Sequence, residues 1–345
     1  LLTSIDHPVA RAITWARKTN KLRTTFAQSV RTHEVNGRIH CSYNQLRKTS
    51  DKGETRGAAY GRLSSENPNM QQQPSRDEFA SMWRGIYLPE EGMIWGSLDY
   101  SQQEPRMLVH YAELCGLEGA SEAAERYRED PDTDYHQMVA DMTGVSRKAS
   151  KEIGLGKIYG MGGAKLCRKL GLPTRWAVFQ DGWGQEPAYF EGEKDARAYS
   201  GVHGGRAFEV AGEEGQQLVQ QFDHRLPYVK TLARMFRKKA DRVGYIRTIS
   251  GRRCRFPVRD QSYDWTHKAL NRGIQGSSAD QTKKALVQVD AAGHFMQLQV
   301  HDELTGSFPS REAAQEAAKI MEECYKLRVP FKVDVETGPS WGEAS

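Results

Sequence analysis

The sequence predicts an α+β fold, on three observations. Short apolar runs of strand length stop at the acids Asp99 and Asp302, long stretches with helical character lie between those runs, and the C-terminal end alternates strand and helix patterns. At 345 residues the chain is long enough for two or three lobes around a well-buried core.

Taken in order, Ile5 to Phe26 has helical character with a basic face, and the Gly, Asn, Ser and Thr-rich section from Asn36 to Pro74 predicts strands, turns and loops. Met93 to Leu98 suits a buried strand that delivers Asp99 at its end. Helices are expected over Arg106 to Leu117, Ser121 to Arg128 and Asp134 to Met142, followed by one helix from Ser146 to Leu170. From Pro173 to Gly215 the chain is Gly- and Trp-rich without a clear period, which predicts an irregular insertion. Helical pattern resumes over Tyr228 to Val243 and, after a turn at Ser250 and Gly251, over Tyr263 to Val289. Strands at Phe295 to Val300 and Leu304 to Phe308, a helix at Arg311 to Lys326 and a strand at Phe331 to Glu336 complete the pattern. No internal repeat or low-complexity tract interrupts it.

Composition excludes several classes. A hydrophobic share of 38% and a charged share of 27% fit a soluble protein, and no apolar run approaches the ~20 residues a membrane helix needs. The five cysteines are scattered, with no CxxC spacing and no Cys/His cluster suited to zinc, so a reducing compartment is expected. The net charge of +5 permits nucleic acid without demanding it. Its distribution is more telling: Arg234, Arg237, Lys238, Lys239, Arg242, Arg247, Arg252, Arg253 and Arg255 are opposed within their stretch only by Asp241. Leu1 is not an initiator Met, and Asp6, Arg11 and Arg17 fall where a signal peptide would be apolar, so the chain reads as a piece of something longer.

The chemistry is carried by three elements. Val300, His301, Asp302, Glu303 and Leu304 set two adjacent acids between apolar strand-like runs, as at a tight hairpin. Alone, such a tripeptide reads more often as a polar turn; paired with Asp99 on another strand end it suits a hard divalent cation, which takes carboxylate oxygens from separated segments and completes its shell with water and phosphate. The third element is the stripe Arg147, Lys151, Leu155 and Tyr159, spaced by four along one helix face, two cations for phosphate and a ring for a base or sugar.

With these residues in hand, the sequence resembles the family A DNA polymerases. Four blocks match in order: GRLSSENPNMQQQP (Gly61 to Pro74), DYSQQEPR (Asp99 to Arg106), RKASKEIGLGKIYG (Arg147 to Gly160) and QVHDEL (Gln299 to Leu304). DYHQMVA (Asp134 to Ala140), RTISGRRCRFP (Arg247 to Pro257) and ALNRGIQGSSADQTKKAL (Ala269 to Leu286) support them, so the likeness covers nearly the whole chain. It implies a right-hand polymerase fold: an antiparallel-sheet palm with helical fingers and most of the thumb absent. Residues 1–30 would be a remnant of the thumb base, 31–112 the first part of the palm, 113–262 the fingers with an insertion at about 173–221, and 263–345 the second part of the palm.

The resemblance also implies roles. The function would be template-directed 5′→3′ DNA synthesis from dNTPs on primer-template DNA, with two Mg2+ ions for which Mn2+ can substitute. Asp99 and Asp302 would hold both metals, helped by the Tyr100 carbonyl with Glu303 nearby; Arg147, Lys151 and His136 would meet the phosphates, Lys151 also protonating pyrophosphate. Glu104 would crowd the sugar 2′ position, with Gln102, Leu155 and Tyr159 completing the nucleotide site. Arg62, Asn271, Gln275 and His301 would follow the minor groove, whose acceptors are nearly the same for every correct pair. Asn69, Gln71, Arg252 and Arg253 would hold DNA.

Two departures stand out. Leu155 replaces the ring most relatives carry, flanked by Gly154 and Gly156, each costing ~1 kcal/mol in a helix relative to Ala, which predicts a softer helix and altered sugar discrimination. The segment 173–221 is roughly thirty residues longer than in typical relatives, a surface insertion or a contact surface for other replication proteins. A phage origin and hence a bacterial host cytoplasm are expected, with thumb and any proofreading nuclease upstream and therefore weak DNA binding and no proofreading. The rival functions are a single-subunit RNA polymerase, against which Glu104 argues, and an inactive DNA-binding replication protein, against which the intact acids argue.

Overall fold

The computed structural model describes residues 2, 5–49, 55–58, 60–75, 78–180, 186–256 and 265–344. Leu1, Pro257 and Tyr263, which figured in the sequence reading, lie outside them, as do residues 181–185 of the segment 173–221. The chain divides into two compact units: residues 1–101, 279–324 and 333–345 in the first, and 102–278 with 325–332 in the second. Helices and antiparallel sheets mix throughout, as expected for an α+β protein. Among the described residues no helix is long and apolar enough to cross a membrane.

The first unit is organised by a four-stranded antiparallel sheet in the order Met296–Val300, Glu303–Phe308, Ile94–Tyr100, Val333–Gly338. Alternation along each strand splits it into two faces. Leu98, Tyr100, Leu304, Phe308 and Val333 point to one side and are buried there with Ala314, Ala317, Ala318 and Met321 of the helix Arg311–Glu323. Two features tighten this layer. The Tyr100 hydroxyl donates to the Met321 carbonyl at 2.6 Å, and Gly96 is required because a Cβ there would stand 2.5 Å from the Phe308 ring. A second apolar cluster joins Met70, Tyr87, Trp95, Val300 and Trp341, the Trp95 and Trp341 rings stacking at 5.9 Å.

The expected N-terminal helix is longer than its sequence pattern. Pro8–Lys21 runs through a π-helical stretch, Leu22–Ala27, into Gln28–His33. The region from Asn36 to Pro74 holds short strand pairs, as expected, such as Ser42–Asn44 with Ser64–Glu66.

The second unit is mainly helical: Gln103–Leu114, Ala120–Glu129, Tyr135–Thr143, Arg147–Ile158, Gly163–Leu170, Glu213–Arg225 and Pro227–Val243, then the Ser278-bounded part of the long helix Ala269–Ala291. Arg106, from the DYSQQEPR block, is wholly buried as an anchor, donating to the carbonyls of Pro330 at 2.8 Å and Pro131 at 2.5 Å with its guanidinium 4.4 Å over the Tyr127 ring. The basic stretch from Arg234 to Arg255 forms the end of one helix and the hairpin Tyr245–Arg247 with Arg253–Arg255.

Two sequence expectations are corrected here. The single helix over Ser146 to Leu170 is two helices. Gly160, at φ +66°, ends the first: its N–H bonds the Lys157 carbonyl and the Met161 N–H bonds Gly156, a Schellman closure that only a left-handed residue after the last turn permits. The segment from Pro173 to Gly215 is also not irregular. Its described residues form a three-stranded antiparallel sheet, Arg206–Ala211, Thr174–Phe179, Ala188–Phe190 in that spatial order, backed by the helix Glu193–His203.

Candidate active site

The acids of the first unit gather because of strand register. Val300 pairs with Glu303 across a two-residue turn, so His301 and Asp302 sit at the hairpin tip, His301 in the left-handed region at φ +61°. Glu303 is directly opposite Asp99 on one side, and Asp334 is directly opposite Asp99 on the other. Paired residues share a face, so Glu303, Asp99 and Asp334 form a row across three strands, with Glu336 one step along and Asp302 beside Glu303. This is the face opposite the apolar layer, and it unites residues far apart in sequence.

Electrostatics follow from that crowding. Solvent reaches the Asp99 side chain, but the protein packed around its carboxyl, followed by Asp302, Glu303, Asp334 and Glu336, pushes its pKa up to about 8. Burial likewise raises Asp302, against the pull of its own backbone N–H, Arg62 and His301. Burial raises Glu303, while the nearby Arg84 pulls the other way. Arg84 is itself buried, donates to the Pro74 carbonyl at 2.9 Å and lies 4.4 Å over the Trp341 ring. A face of carboxylates this reluctant to ionise together is one that a divalent cation would stabilise. Among the described residues no group of three or more His, Cys, Asp or Glu is arranged to hold a metal ion by itself.

The neighbouring predicted DNA contacts are placed as follows. Arg62 and His301 line one crevice with Gln299, Thr282 and Lys283. Asn69 and Gln71 are engaged internally: the Asn69 side chain accepts from the Gln71 N–H at 3.1 Å, and the Gln71 amide donates to the Gln299 side chain at 2.8 Å. The Tyr100 side chain points away from the acids, leaving only its backbone on their side.

In the second unit, the helix Arg147–Ile158 starts at Ser146, whose side chain caps the Ala149 N–H at 3.2 Å. Ser150, Ile153 and Ile158 are buried, which turns Arg147 and Lys151 to solvent and leaves Leu155 and Tyr159 half-buried along the same stripe. A Cβ at Gly156 would stand 3.4 Å from Leu166 of the next helix, whereas nothing stands within 4 Å of a Cβ at Gly154. At the end of the stripe the Tyr159 hydroxyl donates to Glu104 Oε2 at 2.6 Å. At its start Arg147 Nε donates to Asp134 Oδ2 at 2.6 Å, while the other Asp134 oxygen caps the helix carrying His136. Burial drives His136 down to about 4, with Lys151 and Arg147 adding to the shift and Asp134 opposing it, so the imidazole is neutral near pH 7. The Gln102 side chain accepts from the Tyr135 N–H at 2.8 Å and is a local brace. Asn271 and Gln275 are one turn apart and half-buried, Asn271 Oδ1 being buried without a hydrogen-bond partner. Arg252 turns inward to the Gly276 carbonyl at 3.0 Å, and Arg253 lies 4.8 Å over the Tyr245 ring.

The family model for DNA polymerase family A matches residues 1–179 and 202–343. The chain belongs to DNA polymerase family A. The match omits residues 180–201, which lie inside the segment 173–221 that the sequence marks as an insertion. Similar family A proteins include a DNA-directed DNA polymerase of Pseudomonas phage M6, 58% identical over 354 residues, spanning 100% of this chain and 53% of that protein. The DNA polymerase DpoZ of Salmonella phage PMBT28 is 34% identical over 100% of this chain and 54% of its own length. A solved structure of the POL domain of Pol1 from M. smegmatis, in complex with DNA primer-template and dNTP, superposes with a TM-score of 0.74 at 27% identity, covering 99% of this chain and 55% of that one. The chain thus spans about half the length of the phage relatives it matches.

Asp334, Glu336 and Arg84 were not singled out from sequence. The first two carried a signal: Val333, Asp334, Val335, Glu336 alternates with period 2, which places both acids on one sheet face. Arg84 carried none, because its approach to Glu303 is purely tertiary.

Proposed function

We propose that this chain is the polymerising part of a family A enzyme and performs template-directed 5′→3′ DNA synthesis. The reaction forms a bond from the primer 3′-oxygen to the α-phosphorus of a dNTP and breaks the bond from that phosphorus to pyrophosphate. The observation that carries the reading is the register setting Glu303 opposite Asp99 with Asp302 adjacent. In this reading Asp99 and Asp302, with the Tyr100 carbonyl and Glu303 in support, would hold two Mg2+ ions. When bound, such ions acidify the attacking hydroxyl and neutralise charge on the phosphates.

The remaining roles belong to the chain's own side chains. Arg147 and Lys151, exposed on one helix face, bind the triphosphate, and Lys151 supplies the proton that pyrophosphate takes on leaving. Neutral His136 donates a hydrogen bond rather than a charge. Glu104, held by the Tyr159 hydroxyl, occupies the space a 2′-hydroxyl would need, while Leu155 and the Tyr159 ring pack against the incoming nucleotide. Arg62, His301, Asn271 and Gln275 test minor-groove geometry, and Arg252 and Arg253 add positive charge for DNA. We assign residues 1–30 to the thumb base, 31–112 and 263–345 to the palm, and 113–262 to the fingers.

Magnesium-dependent primer extension tests the proposal. Wild type should extend a primed template with dNTPs, Asp302→Asn should not, and ribonucleotides should be poor substrates. Equal extension by the two proteins would discard the reading, and efficient use of ribonucleotides would favour the RNA polymerase alternative.

A further inference from the structure

The small sheet at 174–211 has two unlike faces. Register fixes them: Ala177 pairs with both Phe208 and Tyr189, and Phe179 pairs with Arg206. One face therefore carries Trp176, Val178, Phe190 and Glu209, and the helix Glu193–His203 covers it, Phe190 meeting Tyr199 at 5.1 Å. The other carries Arg175, Phe179, Tyr189, Arg206 and Phe208, and no strand position on it holds a carboxylate.

That second face is exposed at its aromatic rings, although Ala177 between them is buried. Phe179, Tyr189 and Phe208 are 45%, 47% and 49% exposed, although nothing about sheet stability calls for three aromatic rings in water. Their arrangement is ordered. The Phe179 and Phe208 ring centroids are 6.1 Å apart. The Arg175 guanidinium lies 3.7 Å over the Tyr189 ring, anchored in turn by Glu213 at 3.3 Å and Gln216 at 3.4 Å. Rings exposed on one sheet face, the Phe179 and Phe208 planes tilted by 58° to each other, with arginines between them offer bases a place to stack: every base presents a π-face to the rings, and every phosphate a charge to the arginines.

We infer that this face binds single-stranded DNA, without sequence preference, through stacking on Phe179, Tyr189 and Phe208 and phosphate contacts from Arg206. The charge complementarity favours a polyanion over an apolar protein surface, and the exposed rings favour unpaired bases over a duplex, whose bases are already stacked. The inference rests on the proposed function only for the choice of DNA; a chain that fails to extend primers yet binds single strands here would defeat that reading and leave this one standing.

The test uses the full chain and an oligodeoxythymidine of about 12 nucleotides, within the site sizes single-strand binders use. Photo-crosslinking of wild type with an iododeoxyuridine-substituted version should label the strands Thr174–Phe179, Ala188–Phe190 or Arg206–Ala211, and this arm needs no variant to fold. In fluorescence anisotropy, the triple variant Phe179→Ala, Tyr189→Ala, Phe208→Ala should bind at least tenfold more weakly. Arg206→Ala should lower the slope of log affinity against log salt by about 0.7. Crosslinks confined to other segments, or unchanged affinity in a triple variant that melts like wild type, would overturn the inference and leave the face to a protein partner.

Discussion

The acidic sheet face of the first unit and the cationic stripe of the helix Arg147–Ile158 hold charge in different ways. On the sheet, Glu303, Asp99 and Asp334 are locked in a row by backbone hydrogen bonds, and like charges cannot separate without unpairing strands. Burial first, and these neighbouring acids second, raise the pKa of Asp99. On the helix, Arg147 and Lys151 extend into solvent on long stems, and Arg147 already has a partner in Asp134. Under the proposed function, the sheet holds crowded acids whose charge a bound cation would offset, whereas the helix holds adjustable charge that a bound phosphate would meet. All-or-none effects are expected from the first region and graded ones from the second.

The largest expected effect breaks the comparison outright. Asp99→Asn should reduce primer extension by roughly a thousandfold or more, since a metal clamp contributes several kcal/mol to the transition state and each 1.36 kcal/mol is tenfold. A loss under tenfold, measured as kcat/KM for one dNTP, would show that the acid row is not the chemical centre. The next tests the graded region: Glu104→Ala should raise the ratio of ribonucleotide to deoxynucleotide use by about tenfold or more, the scale on which a lost steric or polar exclusion acts. Tyr159→Phe, which removes the 2.6 Å hydrogen bond to Glu104, should move the same ratio in the same direction but less. If both leave it unchanged, the stripe does not read the sugar.

Smaller still is Leu155→Phe. The open space at neighbouring Gly154 leaves room for a ring, and a change of a few fold in extension rate or dideoxynucleotide use is expected, on the scale of one added apolar contact. Unchanged values for both would remove Leu155 from the nucleotide site.

The smallest effect concerns stability without metal. Asp99 has a folded pKa of about 8 against ~3.9 unfolded, so the folded state binds more protons between those values, and its contribution to stability grows as pH falls from 8 towards 4. His110 and His136, both driven down to about 4 chiefly by burial, act in the opposite sense below ~6.5. The clean observable is a difference. In EDTA, Asp99→Asn should melt above wild type at pH 8, and the gap should close by pH 4; a gap independent of pH would mean the acids do not strain the fold.

Much of the site was legible in advance. The turn at His301 and Asp302 shows as two acids between apolar runs, and the Arg147, Lys151, Leu155, Tyr159 stripe as a four-residue spacing, because both depend on local periodicity. The break at Gly160 was also written in the run Gly160, Met161, Gly162, Gly163 but was outweighed by the helical pattern on either side. The sheet at 174–211 was not legible: its strand Ala188–Phe190 is three residues long, too short to establish a period. Exposed Phe179 and Phe208 also invert the usual rule that alternating apolar residues mark the buried face.

By itself, the sequence determined which residues are available and which share a strand or helix face, since side-chain direction repeats with the backbone and needs no partner. Only the tertiary structure decided that Asp334 joins Asp99 and Glu303, that Arg84 stands near Glu303, and that three aromatic rings look outward from the small sheet. Those outcomes depend on strand order and on which face a helix covers, and both are settled by packing between segments distant in the chain.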